Sequence, residues 1–154
     1  MKTLAEIRHD LATGRYELTQ QAFRQAIEQD IGDEDVRHAG DHAVILEEFS
    51  TAESGANCLL GYGDTELSLH LLVSRAEREI FCCQNCGSET ALGDVVDEIF
   101  RIAGSFVLVE NIPASICNAC GERLFSPVTT ARLQILLRST TQPLKRFNLI
   151  AYSY

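Results

Sequence analysis

Two short copies of one pattern, Cys83-Gln84-Asn85-Cys86-Gly87 and Cys117-Asn118-Ala119-Cys120-Gly121, constrain this chain more than any other feature. Thiolates at i and i+3 of a tight turn can both point at one ion, and two such turns complete a tetrahedral shell. A glycine follows each second cysteine, where such a turn needs a positive φ that glycine adopts at little cost. Thirty residues separate Cys86 from Cys117, enough for a hairpin to leave one turn and bring the other back beside it. The spacing therefore predicts one metal ion on Cys83, Cys86, Cys117 and Cys120. Zinc is the first expectation, and iron is the alternative that four thiolates accept in the same geometry. Four protein ligands close the coordination sphere, so the ion is expected to hold the fold and to leave no position for an activated water.

The remaining two cysteines read differently. Cys58 falls in an apolar run and is expected to be a small buried hydrophobe, while Cys82 would break the matched spacing of the two turns and is expected to be a bystander. A thioredoxin-like redox pair needs a helix start inside a βαβ unit, and nothing around either cysteine pair supplies one. No apolar run approaches the roughly 18 residues needed to cross a bilayer. Met1-Lys2 is followed by Glu6 and Asp10 instead of an apolar signal segment. The expected compartment is the cytoplasm, where six cysteines are not read as a disulfide framework.

Before the cysteines the pattern is helical and then extended. Thr3 and Glu6 fit a capping box for a first helix with Leu4, Ile7 and Leu11 on one face and Gly14 as its stop. Residues 19–30 read as a second helix, with Ala22, Phe23, Ala26 and Ile27 on one side and Gly32 ending it. Asp33-Glu34-Asp35 places carboxylates at the positive end of a short third helix that includes Val36. Residues 43–49, 58–62 and 66–73 read as strands of a small antiparallel meander. The polar stretch 74–79 is the natural boundary.

Beyond it, residues 95–102 and 105–110 read as a hairpin turning at Ala103-Gly104. Ser126-Pro127 opens a helix, Pro143 blocks its extension, and residues 147–152 form a closing strand. The expected architecture is α+β: helices and a small antiparallel sheet in residues 1–78, then a four-cysteine zinc-ribbon-like domain with a hairpin and one helix in residues 79–154.

Charge narrows the partners. Residues 1–80 hold 7 basic and 16 acidic side chains, whereas residues 81–154 hold 6 of each, so the first half carries the whole net charge of −9. An acidic half repels a phosphate backbone at long range, and broad nucleic-acid binding is not expected.

The second half resembles the zinc-binding domain of the YgiT/MqsA-type antitoxins. The likeness rests on Cys83-x-x-Cys86-Gly87 and the hairpin, followed by Val109-Glu110-Asn111-Ile112-Pro113-Ala114-Ser115-Ile116-Cys117-x-x-Cys120-Gly121-Glu122. Phe125-Ser126 then opens a helix, and a Pro143 segment ends in a strand-like tail. The resemblance covers about 70 residues and implies that the four cysteines are zinc ligands and that the domain contacts a toxin partner. Members that repress transcription carry a helix-turn-helix after this module. The sequence ends at Tyr154, so DNA recognition by that route is not expected.

The first half more loosely resembles a family of small bacterial domains that look like RelE-type toxins. Here the matching residues are Leu18-Thr19-Gln20-Gln21-Ala22 leading a helix to Ile31, Asp35-Val36, Cys58-Leu59-Leu60-Gly61 and Leu69-His70. Gln21 stands where that family tends to have a histidine, and Gln29-Asp30 where an arginine precedes the isoleucine. Both departures remove groups able to carry positive charge toward a phosphate.

Ribonuclease chemistry of this kind needs cations on the scissile phosphate and a proton donor or acceptor of near-neutral pKa. His70, Arg24, His38 and His42 are the candidates; a histidine in an alternating strand is more often an exposed or satisfied residue than a catalyst, and Arg24 reads first as a solvated helix residue. The first expectation is a non-enzymatic toxin-antitoxin-related protein. Its zinc-held part would recognise a protein partner, either a small toxin or its own N-terminal domain. A ribonuclease-type toxin domain restrained by the fused zinc-binding part is the alternative.

Overall fold

A computed structural model describes residues 1–51, 55–63, 68–75, 81–139, 142–143, 145–148 and 152. It is a mixed α+β fold of four helices and two small antiparallel sheets among those residues.

The chain starts with α1 (Leu4–Ala12), entered through the expected capping box: Thr3 Oγ1 accepts from the Glu6 amide and the Glu6 carboxylate accepts from the Thr3 amide. Ile7 and Leu11 face inward. Strand β1 (Leu18–Thr19) is only two residues long, and its Thr19 side chain caps α2 (Gln20–Glu28) by accepting from the Ala22 amide. Helix α3 (Asp33–His42) runs longer than the short helix expected, and Gly32 is its N-cap residue and not simply the stop of α2. Strands β2 (Val44–Thr51), β3 (Gly55–Gly63) and β4 (Ser68–Ser74) form the expected meander in the order β2-β3-β4. Residues 66–67 of the third expected strand and residues 76–79 of the expected boundary lie outside the described residues.

The second sheet is built on a long hairpin, β5 (Ala91–Ile102) and β6 (Ser105–Cys117). It turns at Ala103-Gly104 as expected, with φ of 48° and 80° at the two residues, the left-handed pair whose twist matches that of flanking strands. The hairpin extends well past residues 95–110, and Ala91 pairs directly with Cys117. Strand β7 (Arg123–Phe125) pairs with β6 on one side and with β1 on the other, giving the order β1-β7-β6-β5. Helix α4 (Pro127–Arg138) begins as expected, with Pro127 in its first turn and the Ser126 hydroxyl accepting from the Thr129 amide. The expected closing strand is not formed by residues 145–148 or 152, which are without regular structure; residues 149–151 lie outside the described residues.

Two hydrophobic cores result, and they do not follow the division at residue 78. One joins α1, α3 and the three-stranded sheet through Ile7, Leu11, Val36, Ala43, Cys58 and Leu60. The other joins Phe23 and Ile27 of α2 to Val96, Phe100, Ile112, Ala114, Phe125 and Leu133. Leu18, Phe23 and Ile27 of the first half thus complete the core of the second, whereas Ile31 packs against the first. The physical reason is α2 itself: its apolar face, with Phe23 and Ile27, is buried there, while the hairpin sheet has, among the described residues, α4 as the one helix of the second half to cover it. Gln134 of α4 secures the same join by donating to the Ile31 carbonyl at 2.7 Å.

Candidate metal centre

The local fold of each cysteine turn is the same. Gly87 N–H donates to the Cys83 carbonyl at 2.9 Å, and Gly121 N–H to the Cys117 carbonyl at 3.0 Å; Cys83 N–H reaches Ser88 O, and Cys117 N–H reaches Glu122 O, both at 2.9 Å. Both glycines have the positive φ that the sequence demands, 72° at Gly87 and 77° at Gly121. The second turn is also the connection between β6 and β7, so the sheet holds it rigidly. The hairpin brings the first turn alongside, and Asn118 N–H donates to the Thr90 carbonyl at 3.1 Å.

These turns place the sulfur atoms of Cys83, Cys86, Cys117 and Cys120 within 4.8 Å of one another. The Cys83–Cys120 and Cys86–Cys117 sulfur separations are 3.5 and 3.6 Å. Four sulfurs about 2.3 Å from one tetrahedral ion would lie roughly 3.8 Å apart, so the cluster has nearly the right size for a metal. The four residues predicted from spacing are the four that converge.

Backbone amides support negative charge on this cluster. Cys117 accepts from the Cys120 and Ala119 amides, and these bonds bring its thiol down to about 6 despite burial. The Glu122 amide acts in the same sense on Cys120, which is also lowered. Burial instead pushes the Cys83 thiol up to about 12, although the Cys86 and Asn85 amides oppose the shift. At Cys86 the Ser88 amide pulls the thiol down, but hydrogen bonding with the neighbouring thiols and burial together leave it raised. Four thiols so close cannot all ionise alone, and a divalent cation bound among them would supply the missing positive charge. The first cysteine of each turn is buried and the second is exposed, so the site sits at the surface with its inner ligands anchored in the fold.

Cys82 is half-buried, and its sulfur lies 3.8 Å from the Cys83 and Gly87 carbonyl oxygens, outside the cluster. Cys58 is fully buried in β3, where burial raises its thiol pKa. Both occupy the places the sequence predicts for them.

Of the other candidates, His38 and His42 lie side by side on α3 with ring centroids 4.7 Å apart, whereas His70 and Arg24 sit on separate elements. His70 lies exposed on β4, opposite Gly61 of the three-stranded sheet. Arg24 lies on the exposed side of α2, a helix whose apolar face belongs to the other core, and its guanidinium donates to Glu98 at 2.9 Å. Sequence reasoning misses the group around Glu98 altogether. This carboxylate is 3% exposed and accepts from Gln20 Nε2 at 2.6 Å and Arg123 Nη1 at 2.7 Å as well as from Arg24. Burial pushes its pKa up, but the hydrogen bonds from Arg24, Arg123 and Gln20 outweigh that and leave it lowered. The one legible signal is a glutamate at an inward position between Val96 and Phe100.

The group adjoins the second cysteine turn, because Arg123 opens β7 directly after Cys120-Gly121-Glu122, and Glu122 accepts from the Gln20 amide at 3.3 Å. Comparisons of the chain with protein-family models, with curated proteins and with solved structures found no match. No helix among the described residues is long and apolar enough to cross a membrane.

Proposed function

We propose that this chain is a toxin-antitoxin-related protein acting as a non-enzymatic protein-interaction module, its zinc-ribbon-like part held together by one structural zinc ion. The single observation that carries the reading is the closed group of four cysteine sulfurs within 4.8 Å of one another. Such a shell stabilises structure and leaves no position for substrate or activated water. The partner is a small toxin or the chain's own N-terminal part. The packing of β1 and α2 against β7 and β5 supports the second version, since the acidic first half already shares a core with the cysteine-bearing half.

The ribonuclease alternative is the weaker reading. Arg24, the cation it would use, is engaged with the Glu98 carboxylate, and His70 stands on a different sheet. Two measurements test the proposal. Elemental analysis of purified protein is expected to find one zinc per chain, and iron or no stoichiometric metal would overturn the zinc assignment. Incubation with mixed RNA is expected to give no cleavage; cleavage that His70→Ala abolishes would overturn the non-enzymatic reading. Retention of a small basic protein from host extract only by metal-loaded protein would identify an external partner.

A further inference from the structure

Helix α3 carries a second grouping of ligating side chains, on different elements from the cysteine turns. His38 and His42 are spaced i, i+4, which sets both imidazoles on one face of the helix. Both residues are exposed, and their ring centroids are 4.7 Å apart. Two imidazoles that share one ion through ring nitrogens at roughly 2.0–2.1 Å have ring centres about 4.5–5 Å apart.

Hydrogen bonds already orient both rings. His42 Nδ1 is 2.9 Å from the His38 carbonyl oxygen. A carbonyl only accepts, so Nδ1 carries the proton and Nε2 keeps its lone pair. Metal-binding histidines are commonly held in this way, with the second ring nitrogen donating to a backbone carbonyl. His38 Nε2 is 2.8 Å from the Tyr62 hydroxyl, and the Tyr62 ring meets the His38 ring edge-on at 5.3 Å. Strand β3 therefore holds the first imidazole while the helix backbone holds the second.

The local field favours a cation. Residues 1–80 carry the whole net negative charge of the chain, and His42 ends α3, at the negative pole of the helix dipole.

We propose that His38 and His42 form a surface site for an imidazole-preferring divalent transition cation of the zinc, nickel or copper kind, separate from the four-cysteine centre. Each histidine contributes one ring nitrogen, and water completes the shell. The site does not depend on which metal the cysteines hold.

The test uses the full chain, dialysed to constant metal content and titrated with nickel(II) at neutral pH in a calorimeter. One further equivalent is expected to bind. His38→Ala and His42→Ala should each weaken it at least tenfold, and His70→Ala should leave it unchanged. His42→Gln keeps a polar side chain on the helix but removes the ring nitrogen, and it should behave like the alanine variant, with circular dichroism showing an unchanged fold. Binding that survives His42→Gln, binding lost equally in His70→Ala, or an affinity no better than that of a single imidazole would overturn the proposal.

Discussion

Phe23 of α2 stacks on Phe125 of β7 with ring centroids 3.9 Å apart and planes 10° from parallel. Phe100 of β5 meets the same Phe23 ring edge-on at 5.8 Å, and all three side chains are fully buried. The aromatic cluster thus ties a helix from the first half of the chain to the sheet that carries the second cysteine turn. Truncation Phe23→Ala is expected to destabilise the fold by about 3–5 kcal/mol, the usual cost of emptying a buried phenylalanine site. Urea unfolding of the intact chain measures this. Resonances of Phe100 and Phe125 should shift in the variant, and a second-half core indifferent to the change would contradict the shared packing.

Glu98 links the same two segments through charge. Its folded pKa is lowered, so its contribution to stability is present above its ordinary value near 4.5 and is lost as pH falls through the lower folded value. Stability of the wild-type chain should decline across that acidic window. Glu98→Gln should flatten the decline and cost about 1–3 kcal/mol at neutral pH, less than a fully buried pair because Arg24 and Arg123 are 46% and 34% exposed. Urea midpoints of both proteins between pH 3 and about 7 decide the matter. Parallel curves would mean that Glu98 does not control the acid limb.

Metal removal should propagate along one path. The second cysteine turn runs into β7, which pairs with β1 through Leu18–Phe125 and Thr19–Leu124. Stripping the ion with a chelator, or substituting Cys117→Ser, is expected to speed amide exchange in β7 and β1 by at least about tenfold, as local opening becomes easier. Amides of β3, in the other core, should change much less. Uniform acceleration across both sheets would argue for one indivisible folding unit.

Gly121 isolates the conformational requirement of the turn. A Cβ there would meet no atom within 4 Å, so Gly121→Ala meets no steric obstacle except its own φ of 77°. The expected cost is about 1–2 kcal/mol, with weaker metal retention. Gly93 in β5 is equally open but has no positive φ, and Gly93→Ala should be neutral or slightly stabilising. Thermal unfolding of the two variants side by side provides the comparison.

The cysteine cluster was legible because its information is local. Spacing within each turn, and the glycine that closes it, follow from backbone geometry that a few residues determine. The Ser126 cap, the Thr3 capping box and the Ala103-Gly104 turn were readable for the same reason. Strands β1 and β7 are not: two and three residues carry no periodicity, and they are strands because β7 pairs with β6 and β1 with β7. Gly32 reads in the sequence as a terminator but is the N-cap residue of α3; α2 ends earlier, at Glu28, with Asp30 at a φ of 58°.

By itself the sequence determined the two cysteine turns and the approximate run of helices and strands, since both are patterns among near neighbours; the hairpin that brings the two turns together is what lets the four side chains share an ion. Only the tertiary structure decided that α2 joins the second core, that Glu98 gathers Gln20, Arg24 and Arg123, and that His38, His42 and Tyr62 meet. Those groupings join segments far apart in the chain. They are selected by which apolar faces and charges can be buried together, a property of the whole packed molecule that no short window of residues contains.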